Sequence, residues 1–233
     1  MPRPVRAVVF DLDDTLLDHR GSVRTALSAW LPDEAAADEE RLVEAWFALE
    51  RKHYARWEAG QISFQEQRRR RIRELYALLG RPISAADDVD ALFADYLAHY
   101  TSAWRAFDDV RPTLTQLRRL GFALAVLTNG SSAQQHAKVH ALRLLERVDL
   151  VVTSEELDVA KPDPRAYRRT CDRLSVDPDE ALHVGDRYDV DVVGARAAGL
   201  QALHLDRDGR GQETSGSRIA SLLELAPRLA LVT

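Results

Sequence analysis

The first third and the rest of the chain carry different hydrophobic patterns. Residues 8–10 are an uninterrupted apolar run that ends at Asp11. Comparable apolar runs follow at 122–127, 150–152, 181–184 and 201–205. Such runs are typical of strands buried on both faces of a parallel sheet. Helical spacing of apolar residues separates the later runs, at 113–120, 133–145, 165–174 and 190–198. Strands that alternate with helices predict a doubly wound parallel sheet.

Between the first run and the second, residues 21–104 have helical spacing throughout. The first long helix is indicated by apolar and aromatic positions that recur at helical steps, at Leu42, Trp46, Leu49, His53 and Trp57. Ser63 with Glu66 has the form of a capping box, and Ser84 with Asp87 repeats it before another helix. We therefore predict an α/β fold with a Rossmann-like core at residues 1–17 and 103–233. A small all-helical domain, residues 18–102, is inserted after the first strand.

Composition narrows the class of protein. The 233 residues are 45% hydrophobic and 30% charged, which is typical of a soluble globular chain. The net charge of −5 gives no support for a nucleic-acid partner. The first apolar run is broken at Asp11, too early for a signal peptide or a membrane span, so we predict a cytoplasmic protein without a membrane partner. Cys171 is the single cysteine, which excludes an internal disulfide.

Lysine is rare in this chain. Of 32 basic residues, only Lys52, Lys138 and Lys161 are lysines. A lysine in an arginine-rich chain hints that its position requires a compact ammonium group, which a planar guanidinium does not imitate.

Acidic side chains follow the first predicted strand directly. Asp11, Asp13 and Thr15 alternate, so in extended chain they can project to one side. Carboxylates this close repel each other and raise each other's pKa unless a cation lies between them. The segment alone is also compatible with an acidic surface turn.

Polar groups also follow the other predicted strands. Thr128 and Asn129 end the second, where a hydroxyl and helix N-terminal amides can bind an anion or simply cap a helix. Lys161 follows the third strand and Asp186 the fourth. Because parallel strands end at one edge of a sheet, these groups are predicted to meet. Carboxylates, waters and a substrate phosphate are the ligands that suit Mg²⁺.

In order along the chain, these segments read DLDDT, LTNGS, Lys161-Pro162 and GDRYDVD. This set resembles the four motifs of the haloacid dehalogenase-like hydrolase superfamily, and the resemblance spans nearly the whole chain. The helical insert is similar to the cap domain of subfamily I, of the C1 type. The resemblance implies a Mg²⁺-dependent hydrolase of small phosphomonoesters that works through an aspartyl-phosphate.

The same resemblance implies a role for each motif residue. Asp11 is the nucleophile and Asp13 the acid and base. Mg²⁺ is held by Asp11, by the backbone carbonyl of Asp13 and by Asp186. The phosphoryl oxygens are contacted by Thr128, Asn129 and Lys161. Asp191 orients Lys161 or the water ligands of the metal, and Thr15 supports the groups that contact the metal. Asp14 and Asp189 are expected to belong to a turn and a helix end.

Other activities stay open at this point. A 2-haloacid dehalogenase also uses an aspartate nucleophile, but in those enzymes the position of Asp13 is not acidic and magnesium is not needed. A phosphomutase uses the same site chemistry. A signalling receiver domain gathers similar groups, but it is shorter and lacks the helical insert. The physiological substrate and the oligomeric state are not determined by the sequence.

The run Arg68–Arg71 is a further candidate for substrate binding. Successive helical residues point about 100° apart, so the four side chains cannot all face one site. Glu66 and Arg70 are spaced for pairing on a helix surface. The run therefore favours a solvated helix face.

Overall fold

The computed structural model describes residues 3–84, 87–209 and 217–230. The chain forms two compact units, Met1–His19 with Arg105–Thr233, and Arg20–Trp104. The domain boundaries predicted after residues 17 and 102 stay a prediction. Residues 207–217 are polar and rich in glycine, which predicts a loop, but residues 210–216 of this segment lie outside the described part of the chain.

The larger unit is built on a parallel sheet. Within the described residues it has six strands in the order β3-β2-β1-β4-β5-β6. The strands are β1 (Ala7–Phe10), β2 (Ala123–Thr128), β3 (Leu150–Thr153), β4 (Ala181–Gly185), β5 (Gln201–Leu205) and β6 (Arg218–Ile219). The predicted parallel α/β fold is confirmed. Strand β6 was not predicted, because two residues are too few to show a pattern.

Helices account for most of the remaining described chain. In order they are α1 (His19–Trp30), α2 (Pro32–Glu58), α3 (Phe64–Leu78), α4 (Val89–Ser102), α5 (Val110–Arg119), α6 (Ser132–Ala141), α7 (Ser154–Leu157), α8 (Pro164–Leu174), α9 (Gly194–Ala198) and α10 (Leu225–Ala230). A π-helical turn, Tyr188–Val193, leads into α9. None of the helices in the described part of the chain has the length and hydropathy needed to cross a membrane.

Strand β1 is buried on both faces, as its continuous apolar run predicts. Ala7 and Val9 belong to a core cluster with Tyr167 and Cys171 of α8. Val8 and Phe10 alternate with them onto the opposite face, and all of β1 is fully buried. Cys171 therefore acts as a small core residue at this position.

The order of the strands determines where polar groups can meet. Strand β1 pairs with β2 on one side and β4 on the other, so Phe10 lies beside both Val126 and Val184. Connections from this point run in opposite directions, which opens a crevice at the carboxyl ends of the strands. The backbone N–H of Asp11 donates to the Val184 carbonyl at 2.9 Å and extends the pairing by one residue. The first acidic residue is thereby fixed at the mouth of that crevice.

The smaller unit, Arg20–Trp104, has an aromatic core. Trp46 is fully buried, with ring centroids 4.3 Å from Tyr96 and 6.4 Å from Trp30. The guanidinium of Arg71 lies 4.3 Å from the Trp46 ring centroid. These contacts explain why the aromatic residues recur at helical steps, because each contributes large apolar area to one core.

The cap of helix α4 differs from the prediction. Helix α4 is capped by Asp88, whose side chain accepts from the N–H groups of Asp90 and Ala91, and not by Ser84. An aspartate next to the first helical residue accepts from those amides directly, which the Ser84 hydroxyl is too far along the chain to do. Asp87 instead accepts from the Ser84 N–H, in a turn that precedes the helix.

The arginine run 68–71 is not a uniformly solvated face, so that expectation is wrong. Arg70 pairs with Glu66 at 2.7 Å, as its spacing predicts. Arg71 is buried and donates to Glu50 at 3.0 Å. One residue on, the helix has turned by about 100°, which carries Arg71 from the surface into the core.

Replacing Trp46 by alanine tests the aromatic core. The substitution removes the largest fully buried side chain and leaves a cavity beside Tyr96. We expect the free energy of unfolding to fall by about 3–5 kcal/mol, measured by urea unfolding followed by circular dichroism. Leu78→Ala is the control: this α3 residue is 63% exposed, and its loss should change stability by no more than about 0.5 kcal/mol. Equal stability of the two variants would contradict the packing described.

Candidate active site

The segment after β1 folds into a tight turn. The Leu12 carbonyl accepts from the N–H groups of Leu16 and Leu17, at 2.9 and 2.8 Å. Asp14 has a φ of +59°, a left-handed conformation that Asp adopts more readily than most residues. Asp14 therefore occupies the turn position predicted for it, and Asp11 and Asp13 lie on either side of the buried Leu12.

Lys161 joins two carboxylates at the centre of the site. Its Nζ donates to Oδ1 of Asp11 and to Oδ1 of Asp191, both at 2.6 Å. All three residues are buried. An ammonium group has three donors, so it can bind two carboxylates in one compact arrangement. Asp191 thus contacts Lys161, the partner predicted for it.

The position of Asp191 depends on three further contacts. Its Oδ1 lies 3.0 Å from Nε2 of His183, and its Oδ2 accepts from the backbone N–H of Arg187 at 3.0 Å. A Cβ on Gly185 would lie 2.3 Å from Cγ of Asp191, so only glycine leaves room for that side chain. The π-helical turn Tyr188–Val193 carries Asp191 into this space.

Burial and charge shift the pKa values of these groups strongly. Burial raises the pKa of Asp11 to about 7 against the opposing charge of Lys161. Burial and the Asp11 charge also raise the pKa of Asp186 well above its ordinary value. Burial alone would raise the pKa of Asp191, but Lys161 and His183 hold it far below its ordinary value. Negative charge at Asp11 and Asp186 is therefore costly without a further cation.

The arrangement of carboxylates fits a divalent metal ion. Carboxylate oxygens of Asp11, Asp186 and Asp191 lie within 4.8 Å of one another. Asp11 and Asp186 are two of the predicted ligands, and hard oxygen donors suit a divalent cation. Asp191 also belongs to the cluster, but Lys161, His183 and Arg187 already occupy its oxygens. A bound cation would offset the repulsion between the Asp11 and Asp186 carboxylates and would lower their raised pKa values.

The carboxylate of Asp13 points to a different partner. Lys138 donates from Nζ to both Oδ1 and Oδ2 of Asp13 at 2.7 Å. Gln135 adds a donor to Oδ2 at 3.2 Å. Burial alone would raise the pKa of Asp13, but the charges of Lys138 and His19 and these hydrogen bonds lower it. Metal binding by the backbone carbonyl of Asp13, which the family resemblance implies, stays a prediction.

Thr128 and Asn129 lie where β2 ends. Thr128 is buried, and its Oγ1 accepts from Gln135 at 2.6 Å. The Asn129 side chain donates to the Lys161 carbonyl at 2.8 Å and accepts from the Lys161 N–H at 2.9 Å. Asn129 thus holds the backbone that carries Lys161. Phosphate contacts by either side chain stay a prediction.

Thr15 is fully buried, and within the described residues its Oγ1 lacks a hydrogen-bond partner. A buried hydroxyl without a partner costs free energy. The role of Thr15 in supporting the groups that contact the metal stays a prediction.

The sequence did not identify Gln135, Lys138 or His183 as site residues. His183 lies within the apolar run of β4, where the sequence predicts only packing. It is fully buried, with its ring 5.2 Å from that of Tyr167, and it also contacts Asp191. Lys138 is about two helical turns along α6 from the LTNGS motif, so no strand end pointed to it. The rarity of lysine was the one signal that marked it.

Comparisons with known proteins identify the family to which the chain belongs. The family model for haloacid dehalogenase-like hydrolases matches residues 5–199. The chain is 32% identical over 219 residues to glyceraldehyde 3-phosphate phosphatase of Methanopyrus kandleri, covering 87% of this chain and 84% of that one. It is 30% identical over 237 residues to (S)-2-haloacid dehalogenase 1 of a Pseudomonas species, covering 98% and 97%.

Among solved structures, a dehalogenase with an intermediate complex is similar, with a TM-score of 0.77 and 27% identity over 99% of both chains. The matched residues include the turn after β1, Lys138, Lys161 and the segment around Asp186. The chain is a hydrolase that belongs to the haloacid dehalogenase-like hydrolase family.

Proposed function

We propose that this protein is a Mg²⁺-dependent phosphatase that hydrolyses a small phosphomonoester through an aspartyl-phosphate on Asp11. The observation that carries the proposal is the cluster of Asp11, Asp186 and Asp191, whose carboxylate oxygens lie within 4.8 Å of one another. Such a cluster suits a metal ion together with a charged substrate, whereas the dehalogenases that the sequence resembles need no magnesium. Phosphatases are also among the relatives, including the 32% identical Methanopyrus kandleri enzyme.

Asp11 and Asp186, with the backbone carbonyl of Asp13, are the groups that would hold the ion. Bound there, Mg²⁺ would neutralise part of the charge between the carboxylate nucleophile and the phosphate. Both carboxylates must be ionised to act, although the pKa values of Asp11 and Asp186 are raised in the protein alone. A bound cation would favour the ionised forms, which supports this assignment.

Lys161 prepares Asp11 for attack. Its ammonium fixes Oδ1 of Asp11 at 2.6 Å and favours the ionised carboxylate. A carboxylate oxygen of Asp11 then attacks phosphorus, the phosphorus–oxygen bond of the ester breaks, and the leaving oxygen takes a proton from the Asp13 carboxyl group. Holding the nucleophile in one orientation removes entropy that would otherwise oppose the reaction.

Asp13 completes the second half of the cycle. As a carboxylate it takes a proton from water, whose oxygen attacks phosphorus and releases inorganic phosphate and the Asp11 carboxylate. Lys138 lowers the pKa of Asp13, so in the free protein Asp13 is ionised at neutral pH. Asp13 therefore has to take up a proton from the bound substrate before it gives one to the leaving oxygen, and the proton that it gains from water leaves with the phosphate. A phosphomonoester monoanion carries one, since its second pKa is about 6.

A 2-haloacid dehalogenase is the second candidate. The observation in its favour is a relative of that activity aligned over 98% of this chain. Against it stand the acidic residue at position 13 and the paired Asp11 and Asp186 carboxylates, which a neutral carbon–halogen bond does not require.

Substrate trials separate the two activities. We expect purified protein with Mg²⁺ to release phosphate from a panel of small phosphomonoesters over many turnovers, and EDTA to stop it until Mg²⁺ is restored. Halide release from (S)-2-chloropropionate should stay at background. Halide release that is indifferent to EDTA, with no phosphate release, would overturn the proposal.

Metal binding can be measured without turnover. In isothermal titration calorimetry with Mg²⁺, we expect Asp186→Asn to weaken binding at least about 10-fold, since even partners of metal ligands contribute 10- to 100-fold. Asp189→Asn is the matched control, because this neighbouring carboxylate is 76% exposed and pairs with Arg187. Equal affinities of the two variants would remove Asp186 from the metal site.

A further inference from the structure

Asp13 is held by a pair of side chains from helix α6. Lys138 donates to both of its carboxylate oxygens at 2.7 Å, and Gln135 donates to Oδ2 at 3.2 Å. The two α6 residues lie three apart, so they share one face of the helix. Neither contact involves a residue of the four sequence motifs other than Asp13.

Lys138 is in an environment that favours binding to Asp13. Its side chain is only 4% exposed, whereas that of Asp13 is 30% exposed. A buried ammonium is costly unless it is paired and hydrogen-bonded, so Lys138 favours conformations in which Asp13 stays beside it. The chain otherwise uses arginine almost throughout, so the lysine at this position provides a compact ammonium group where arginine is the usual basic residue.

Gln135 connects this pair to the end of strand β2. Its Nε2 lies 2.6 Å from Oγ1 of Thr128 and 3.0 Å from the Asn129 carbonyl. Gly130 leaves room for it, because a Cβ there would lie 3.3 Å from the Gln135 side chain. The orientation of Asp13 is therefore tied to the strand end predicted to bind phosphate.

We propose that Lys138 is a positioning residue that fixes the Asp13 carboxyl group for proton transfer to the leaving oxygen, an inference that rests on the proposed phosphatase activity. Asp13 lies in a turn and is partly exposed, so without Lys138 the side-chain hydrogen bond that it keeps among the described residues is the longer one from Gln135. Proton transfer requires the carboxyl oxygen within hydrogen-bond reach of the ester oxygen. Lys138 acts through Asp13 and touches no reacting atom.

Substrates with different leaving groups test this role of Lys138. Nitrophenolate is a weak base and departs without a proton, whereas an alkoxide needs one. kcat/KM covers the steps through phosphoryl transfer, so it includes the proton donated by Asp13. For Lys138→Met we expect kcat/KM to fall about 100-fold with an alkyl phosphate such as glycerol phosphate, and less than about 10-fold with 4-nitrophenyl phosphate.

A double-mutant cycle with Asp13→Asn separates positioning from a general structural role. If Lys138 acts through Asp13, the double variant Asp13→Asn with Lys138→Met has the same alkyl phosphate kcat/KM as Asp13→Asn alone, within about threefold. The double variant also removes the charge that Lys138→Met would leave unpaired. Multiplied losses in the double variant would overturn the proposal.

Lys52→Met is the matched control, because Lys52 is 55% exposed and pairs with Glu74 in the helical unit. It should hydrolyse both esters like the wild type. Equal losses with the two esters in Lys138→Met would instead indicate a direct contact with phosphate and would overturn the positioning role. A wild type that releases phosphate from neither ester would refute the proposed function itself, which is a distinct result.

Discussion

The structure of the site depends on one buried ammonium group. Lys161 binds Asp11 and Asp191 at 2.6 Å each, and its side chain is only 2% exposed. Removing either kind of partner would leave an uncompensated buried charge, which costs about 3–5 kcal/mol. The charges of Asp11, Asp191 and Lys161 therefore have to be buried together during folding, although the three residues lie in different parts of the chain.

Several features of the larger unit serve that requirement. Pairing of β1 with β4 carries Asp11 to the Val184 carbonyl. The Asn129 side chain binds the Lys161 backbone through both its donor and its acceptor. The absence of a side chain at Gly185 leaves the space that Asp191 fills. Positive charge at Lys161 in turn offsets only part of the negative charge, since the pKa of Asp11 stays raised to about 7.

Much of this arrangement could be predicted from sequence because it follows from strand ends. Asp11, Thr128 and Asp186 each lie at or directly after the last residues of a buried apolar run, and parallel strands bring their carboxyl ends to one edge. Contacts made by helices could not be predicted in the same way. Lys138 and Asp13 are 125 residues apart, and helical spacing shows that a residue is buried without showing what it faces. The same limit applies to Arg71, which follows three arginines in the sequence although it packs on Trp46.

The proposed reaction depends on phosphorylation of Asp11. The most direct measurement is mass spectrometry of proteolytic peptides after wild-type protein is mixed with Mg²⁺ and a phosphomonoester substrate and quenched in acid within the first turnover. We expect a phosphoryl group on Asp11 that is absent in Asp11→Asn but present in Asp14→Asn. Asp14 is the matched control because it lies in the same turn and asparagine also tolerates its left-handed backbone. A phosphoryl group on another residue, or substrate turnover by Asp11→Asn, would contradict the proposed reaction.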